Sequence, residues 1–254
     1  MAITCELCKR AAPKKIPETD AIFDRLAEVN TLADEDESIL RVSLDAKASI
    51  LIGDYSRRGQ SRVIIKALDH DFGSEERLTP FGITLPQYGE VHLYFTSSKI
   101  TSDFIVDVLQ DFWDSNRHRF SQVHTLLLNL DNGPENHSRR TQFMNRLTHF
   151  ADTFHLTVEL AYYPPYHSKY NPIERVWGVL EKHWNGSLLD TPETVLKFAQ
   201  SMTYRGQHPI VTLVKTVYQT GVKLSQKDMK KLEERFERLP ELPKWFVRIQ
   251  PVFG

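Results

Sequence analysis

Three acidic residues, Asp45, Asp131 and Glu174, occupy positions from which carboxylates could converge on divalent metal ions. Asp131 follows the apolar run Thr125-Leu126-Leu127-Leu128-Asn129-Leu130 and opens Asp131-Asn132-Gly133-Pro134, which reads as a buried strand stopped by a tight turn. Glu174 lies in the first turn of a helix fed by the loop Tyr162 to Asn171. Asp45 ends a segment in which Leu40, Val42 and Leu44 alternate with Arg41 and Ser43, the period-two pattern of a half-buried strand. Carboxylates at two strand ends and a helix start suit metal-dependent phosphoryl transfer. That chemistry activates an oxygen on one side of phosphorus and stabilises the leaving oxygen on the other, a task for two ions about 3.5–4 Å apart. Hard ions such as Mg2+ or Mn2+ prefer oxygen ligands and keep several waters, so three carboxylates suffice. The chemistry this predicts is cutting of nucleic acid.

Each acid also has a plainer reading. Asp131 could only form an Asx-turn after its strand. Asn171 is an N-cap type, Pro172 suits a first helical position, and Glu174 would then be the third residue of a capping box. Against that, Ile173, Trp177, Leu180 and Trp184 define a buried stripe, and Glu174 sits one residue off it, beside the core. Asp45 could be a solvated strand-end residue, with Asp54 as its rival. Lys47, Arg139, Arg140, Lys169 and Arg175 flank the three acids in sequence. They are candidates for DNA-backbone contacts that position a strand without reading bases, or else ordinary solvated charges. Tyr162, Tyr163, Tyr166 and Tyr170 offer faces for a splayed base or simply pack on Pro164 and Pro165, and His167 reads as structural. No Gly-rich phosphate loop, H-E-x-x-H or G-x-S-x-G is present, which removes support for nucleoside-triphosphate, zinc-protease and serine-hydrolase chemistry.

The elements that must position these residues read in order as strand, hairpin, helix, strand, helix, strand, helix. The pattern predicts an α/β mixed sheet of five strands flanked by helices. Residues 1–37 read as an arm and linker, with a short amphipathic piece around Ile22 to Val29 and a solvated acidic run Asp34 to Glu37. Residues 38–188 read as the domain carrying the acids. Residues 189–254 read as a helical extension, with one helix after Thr191-Pro192, a second carrying Ile210, Leu213, Val214 and Val217, and a third from Ser225. Cys5 and Cys8 form a C-x-x-C with no further ligands at zinc spacing, so a frayed terminus is the expectation. No run approaches the roughly 18 apolar residues of a membrane span, and no secretory signal opens the chain, which predicts a cytoplasmic protein without a membrane partner. The net charge of −1 conceals −6 over residues 1–134 and +5 over residues 135–254. Any phosphate-tracking surface belongs to the second half, and it should bind weakly.

Leu128 to Pro134, and Tyr162-Tyr163-Pro164-Pro165-Tyr166-His167-Ser168-Lys169-Tyr170-Asn171-Pro172-Ile173-Glu174-Arg175-Val176-Trp177-Gly178, closely resemble the DDE domain of bacterial insertion-sequence transposases. The likeness is to the Rhodopirellula transposase family, within the mariner-like superfamily. Leu40 to Asp45, Gly53 to Arg57, Lys66 to Phe72 and Pro209 to Val211 also match, so the resemblance spans roughly residues 14–251. It implies a ribonuclease H-like fold whose acids are Asp45, Asp131 and Glu174. It further implies Mg2+ or Mn2+ at a two-metal site, no small-molecule cofactor, and a homo-oligomer on DNA that nicks transposon ends and joins the 3′ hydroxyl to target DNA. Full-length relatives carry an amino-terminal helix-turn-helix, so the expectation is a truncated form weak in end recognition. The alternative is a catalytically silent copy that binds DNA or transposase as a regulator.

Overall fold

The computed structural model describes residues 15–55 and 76–252. In chain order the elements are α1 (Thr19–Glu35), β1 (Ile39–Ala46), β2 (Ile50–Leu51), β3 (Arg77–Leu85), β4 (Glu90–Thr96), α2 (Ser102–Asn116), β5 (Thr125–Leu130), α3 (Thr141–Phe154), β6 (Thr157–Tyr162), α4 (Ile173–Trp184), α5 (Pro192–Ser201), β7 (Ile210–Val214), α6 (Gln226–Glu233), β8 (Phe236–Arg238) and β9 (Phe246–Ile249). The sheet order is β7-β4-β3-β1-β5-β6-β9-β8, with β2 paired to β3. β1, β5 and β6 run parallel, while β3 and β4 form the antiparallel hairpin beside β1. The fold is a ribonuclease H-like α/β domain, as expected, and the five expected strands form the centre of a wider sheet.

Every residue of β5 is buried because the strand lies between two parallel neighbours with helices on both faces, the setting that favours continuous apolar runs over alternation. Leu40, Val42 and Leu44 of β1 point to one face. They join a core with α2 and α3 that includes Phe104, Phe112, Phe143 and Leu147. Arg41, Ser43 and Asp45 point to the other face, which α1 and α4 cover. Arg41 makes a bidentate ion pair with Asp34 of α1, and Ser43 bonds to Asn171 just before α4. The polar side of β1 is therefore not a solvated face: Ser43 is fully buried. Beyond it, α4 and α5 cover β3 and β4 through Ile173, Trp177, Leu180, Trp184, Val195 and Met202 against Val91, Leu93 and Phe95.

Three parts of the chain differ from their sequence reading. The amino-terminal arm contains a 17-residue helix whose Ile22, Leu26, Val29 and Ala33 enter the core, and its acidic end is tied down by Arg41 instead of serving as linker. Ile210-Val211-Thr212-Leu213-Val214 is an edge strand parallel to β4, not a helix. Its spacing fits a helical stripe, but four β-branched residues in five favour a strand once a sheet edge is available. The Pro-rich tail also returns to the sheet: β9 pairs antiparallel with β6, burying Phe246, Val247 and Ile249 and exposing Arg248. Residues 189–254 are thus not a purely helical extension, although α5 and α6 form where expected, each with a side-chain N-cap from Thr191 or Ser225. Cys5, Cys8 and the segment from Arg57 to Asp71 lie outside the described residues. Among the described residues, no helix is long and apolar enough to cross a membrane.

Candidate active site

The parallel register of β1 and β5 pairs Ser43 with Asn129. Asp45 stands two residues further along β1 and Asp131 is the first residue past β5, so the two aspartates sit at the carboxyl ends of adjoining strands. Asp131 begins the turn. Its Oδ1 accepts from the Gly133 amide (3.1 Å) and from Asn136 Nδ2 (2.8 Å). Asn136 is itself held, its carbonyl accepting from the buried Tyr162 hydroxyl at 2.7 Å. The Asx-turn reading of Asp131 is correct as geometry. It occupies Oδ1 in both bonds and so orients the carboxylate without excluding a further role. The fit at Gly133 is close, because a Cβ at this position would stand 3.2–3.3 Å from both Asp131 carboxylate oxygens and from Asn136 Oδ1.

Glu174 is delivered by α4, and α4 is fastened to β1 by a buried polar clamp. Asn171 is fully buried. Its Nδ2 donates to the Leu44 carbonyl (3.1 Å), its Oδ1 accepts from Ser43 Oγ, and Ser43 Oγ accepts in turn from the Ile173 amide (3.1 Å). The amide side chain of Asn171 is thereby spent across the sheet, and no side chain caps α4. The capping-box account of Glu174 therefore fails on its first half. Only backbone joins the two residues, Glu174 N donating to Asn171 O at 3.0 Å. A second device lies one strand over, where Asp45 pairs with Gly82 of β3. A Cβ at Gly82 would come within 2.6 Å of Ile173 and 2.7 Å of the Trp177 ring. The missing side chain is what lets α4 lie flat on the sheet beside Asp45.

This packing governs the electrostatics. Burial first, and then the nearby charges of Asp131 and Glu174, raise the Asp45 carboxyl to about 8. The Ala46 amide and the Trp177 indole offset part of the rise. Trp177 Nε1 is buried and faces that carboxyl without closing a hydrogen bond of normal geometry. The three acids thus lie within electrostatic reach of one another. Asp54 is exposed in a bend after β2 and is not among the charges acting on Asp45. Among the described residues, no three His, Cys, Asp or Glu side chains are drawn together tightly enough to hold a single ion. The donor chemistry nevertheless suits hard divalent ions: Asp131 and Glu174 lie within electrostatic reach of Asp45 at one end of the sheet, and this half-buried carboxyl is raised by its like-charged neighbours, a situation that a bound cation would reverse.

The basic residues divide into two groups. Lys47 is paired with Glu181 of α4 at 2.7 Å, and Arg140 with Glu135 at 3.0 Å, so both serve the scaffold. Arg139, Lys169 and Arg175 are exposed, with Lys169 Nζ 5.0 Å from the Tyr170 ring centre. Of the four tyrosines, Tyr162 and Tyr163 are buried while Tyr166 and Tyr170 are exposed. His167 is structural. It is buried, its Nδ1 lies 2.7 Å from the Pro165 carbonyl, and its ring meets Phe23 edge-on at 5.5 Å. Ser43, Gly82, Asn136 and Asn171 were not singled out from sequence as parts of the site. Only Asn171, inside Asn171-Pro172-Ile173-Glu174, carried a local signal, and that signal pointed to a cap.

A mixed sheet with helices on both faces and acidic residues at the carboxyl ends of its adjoining parallel strands is the frame of a ribonuclease H-like domain. The chain belongs to the Rhodopirellula transposase DDE domain family, whose model matches residues 5–251. Among solved structures it is similar to the Mos1 transposase paired-end complex with left transposon end (14% identity, TM-score 0.53, covering 77% of this chain and 57% of that one). It is similar also to the Mos1 mariner paired-end complex with Mn (14% identity, TM-score 0.52, 76% and 57%) and to the Mos1 strand transfer complex (13%, 0.51, 77% and 57%). At such identity the likeness is one of fold. The chain spans 57% of the length of these structures. No curated protein matches.

Proposed function

We propose that this chain is the catalytic domain of a DDE transposase that cleaves DNA strands and joins the freed 3′ hydroxyl to target DNA, with Asp45, Asp131 and Glu174 as its acids. The observation that carries the reading is the placement of two aspartates at neighbouring strand ends with the charge of a helix-borne glutamate felt at the half-buried Asp45. Membership of a transposase DDE family supports the same reading, and so does the likeness in fold to complexes formed on transposon ends, one of them with Mn. In cleavage, water displaces a 3′ oxygen at phosphorus; in joining, the 3′ hydroxyl displaces a 3′ oxygen of a second strand. Mg2+ or Mn2+ held by the three carboxylates would supply charge neutralisation for both displacements. The chain's own part is orientation and exclusion of water. Asn136 and the Gly133 amide fix the Asp131 carboxylate, the Ser43–Asn171 clamp fixes the start of α4, and Trp177 shields Asp45. The partners on this reading are transposon-end and target DNA and further copies of the chain assembled on that DNA.

The test is nicking of supercoiled plasmid in Mn2+ by the wild-type chain and by Asp131→Ala. Wild type is expected to convert supercoiled to relaxed DNA, with the variant slower by at least about a thousandfold. Equal rates at background level in both would leave a DNA- or transposase-binding role without catalysis.

A further inference from the structure

On the same sheet face as the acids, beyond the Ser43–Asn171 clamp, lies a polar cavity of about 270 Å³. Its walls include Arg41, Arg175 and Arg205 and the rings of Tyr163, Tyr170 and Tyr204, and no acidic residue. We infer that this cavity is a subsite for one backbone phosphate of a nucleic-acid strand running from the acidic edge. The inference rests on the DNA-cleaving function proposed above and adds to it the place where the strand is held away from the reacting phosphorus.

Arg205 is built into position. Tyr204 and Gln207 exchange backbone hydrogen bonds of 2.8 and 3.0 Å, closing a tight turn, and Arg205 takes a left-handed conformation within it (φ 49°). That turn is fastened to the β3–β4 hairpin: Gln207 Nε2 donates to the Tyr88 carbonyl (3.2 Å) and Arg205 Nη1 to the Pro86 carbonyl (2.8 Å). The Arg205 stem fills the space beside Gly89, where a Cβ would stand 3.0 Å from Arg205 Cδ. The Arg205 guanidinium is held by that carbonyl and lies 5.8 Å from the Tyr204 ring centre, with no carboxylate paired to it among the described residues, so its charge is left for an outside anion. Arg175 is exposed in the first turn of α4 and follows Glu174 directly; adjacent helical residues do not face each other, so the glutamate does not cover it. Arg41 is already bound through Nε and Nη2 to Asp34, so the unbalanced charge of the cavity comes from Arg175 and Arg205. Two forked donors converging on one opening match a phosphodiester. Beside them Tyr170, 53% exposed, offers a face to the adjoining sugar or base.

The position suits a continuous strand. Arg41 and Asp45 share one side of β1 four residues apart, roughly 13 Å at strand rise, which matches the axial rise of about four base pairs of duplex. Tyr170 and Pro172, on the segment that leads into Glu174, also line the cavity, so a phosphate held there would brace the loop that delivers that acid.

The experiment is fluorescence anisotropy of a short labelled duplex with the full chain in EDTA, from about 50 to 200 mM salt. Wild type is compared with the Arg175→Ala/Arg205→Ala double variant and with the corresponding double lysine variant, and folding is checked by circular dichroism. The alanine pair should bind about tenfold more weakly, with the slope of log K against log salt shallower by about 0.9. The lysine pair should keep most of the slope. Inorganic phosphate should compete no better than chloride of equal ionic strength; stronger competition would mark a free-anion site and overturn the strand assignment. An unchanged slope in the alanine pair, with plasmid nicking intact, would overturn the subsite and leave the nuclease reading standing. No duplex binding and no nicking by wild type would remove both.

Discussion

Asp45 and Asp131 end neighbouring parallel strands, yet the chain treats their carboxyl groups in opposite ways. Asp131 is oriented by donors: an amide N–H and an asparagine N–H both meet Oδ1. Asp45 is held by packing, under Trp177 and opposite a glycine, and burial with two like charges raises it to about 8. Both carboxyls are half-buried, but one is placed by hydrogen bonds from its own turn and the other chiefly by the packing of α4 over it. On the proposed function, Asp45 is the position where a cation would change most, because the Ala46 amide and the Trp177 indole compensate its charge only in part.

That comparison can be broken most severely at Gly82. Gly82→Ala puts a methyl group within 3 Å of Ile173 and Trp177, and we expect a loss of about 1–3 kcal/mol in urea unfolding together with a fall in nicking. Wild-type stability and rate in this variant would show that α4 does not depend on that close approach. A smaller effect sharpens the Asp45 side. With a folded value near 8 and an unfolded value near 3.8, the unfolded chain releases its proton first as pH rises. This group therefore destabilises the metal-free fold progressively between about pH 4 and pH 8, and its contribution is least unfavourable below that window. Asp45→Asn should then raise the melting temperature of the metal-free protein at pH 8 by at least about 2–4 °C while leaving it nearly unchanged at pH 4. Mn2+ should stabilise wild type more at pH 8 than at pH 5, and the variant at neither. A variant that melts below wild type at pH 8 would contradict the burial argument. The mildest perturbation is on the Asp131 side, where Asn136→Ala removes one of two donors. We expect about a tenfold slower nicking rate with Mn2+ affinity lowered in parallel, and an unchanged pH dependence of stability, since Asp45 is not touched.

Much of this was legible from residue patterns, for identifiable reasons. The apolar run ending at Asp131, the alternation ending at Asp45 and the stripe of α4 each combine one periodicity with one stop signal. Local rules therefore place them in a sheet with two strand-end acids. What escaped is long-range. Ser43 and Asn171 are 128 residues apart, and nothing near Asn171 distinguishes a cap from a tether. Gly82 reads as an ordinary hairpin residue until α4 lies across it. Ile210 to Val214 satisfies helical spacing and β preference together, and only the open edge of β4 decides between them. The acidic end of α1 resembled linker because its partner, Arg41, sits on the polar side of a strand, and alternation alone does not reveal that a helix covers that side.

The tether between Ser43 and Asn171 also sets an order of events during synthesis. The first two acids stand at the ends of strands complete by residue 131, but the third has no fixed place until the chain has emerged past α4 and its lead-in has docked on a strand made far earlier. A nascent polypeptide stopped short of that point carries an unfinished cutting edge. On the proposed function, half-made copies leaving the ribosome would be harmless to the DNA around them.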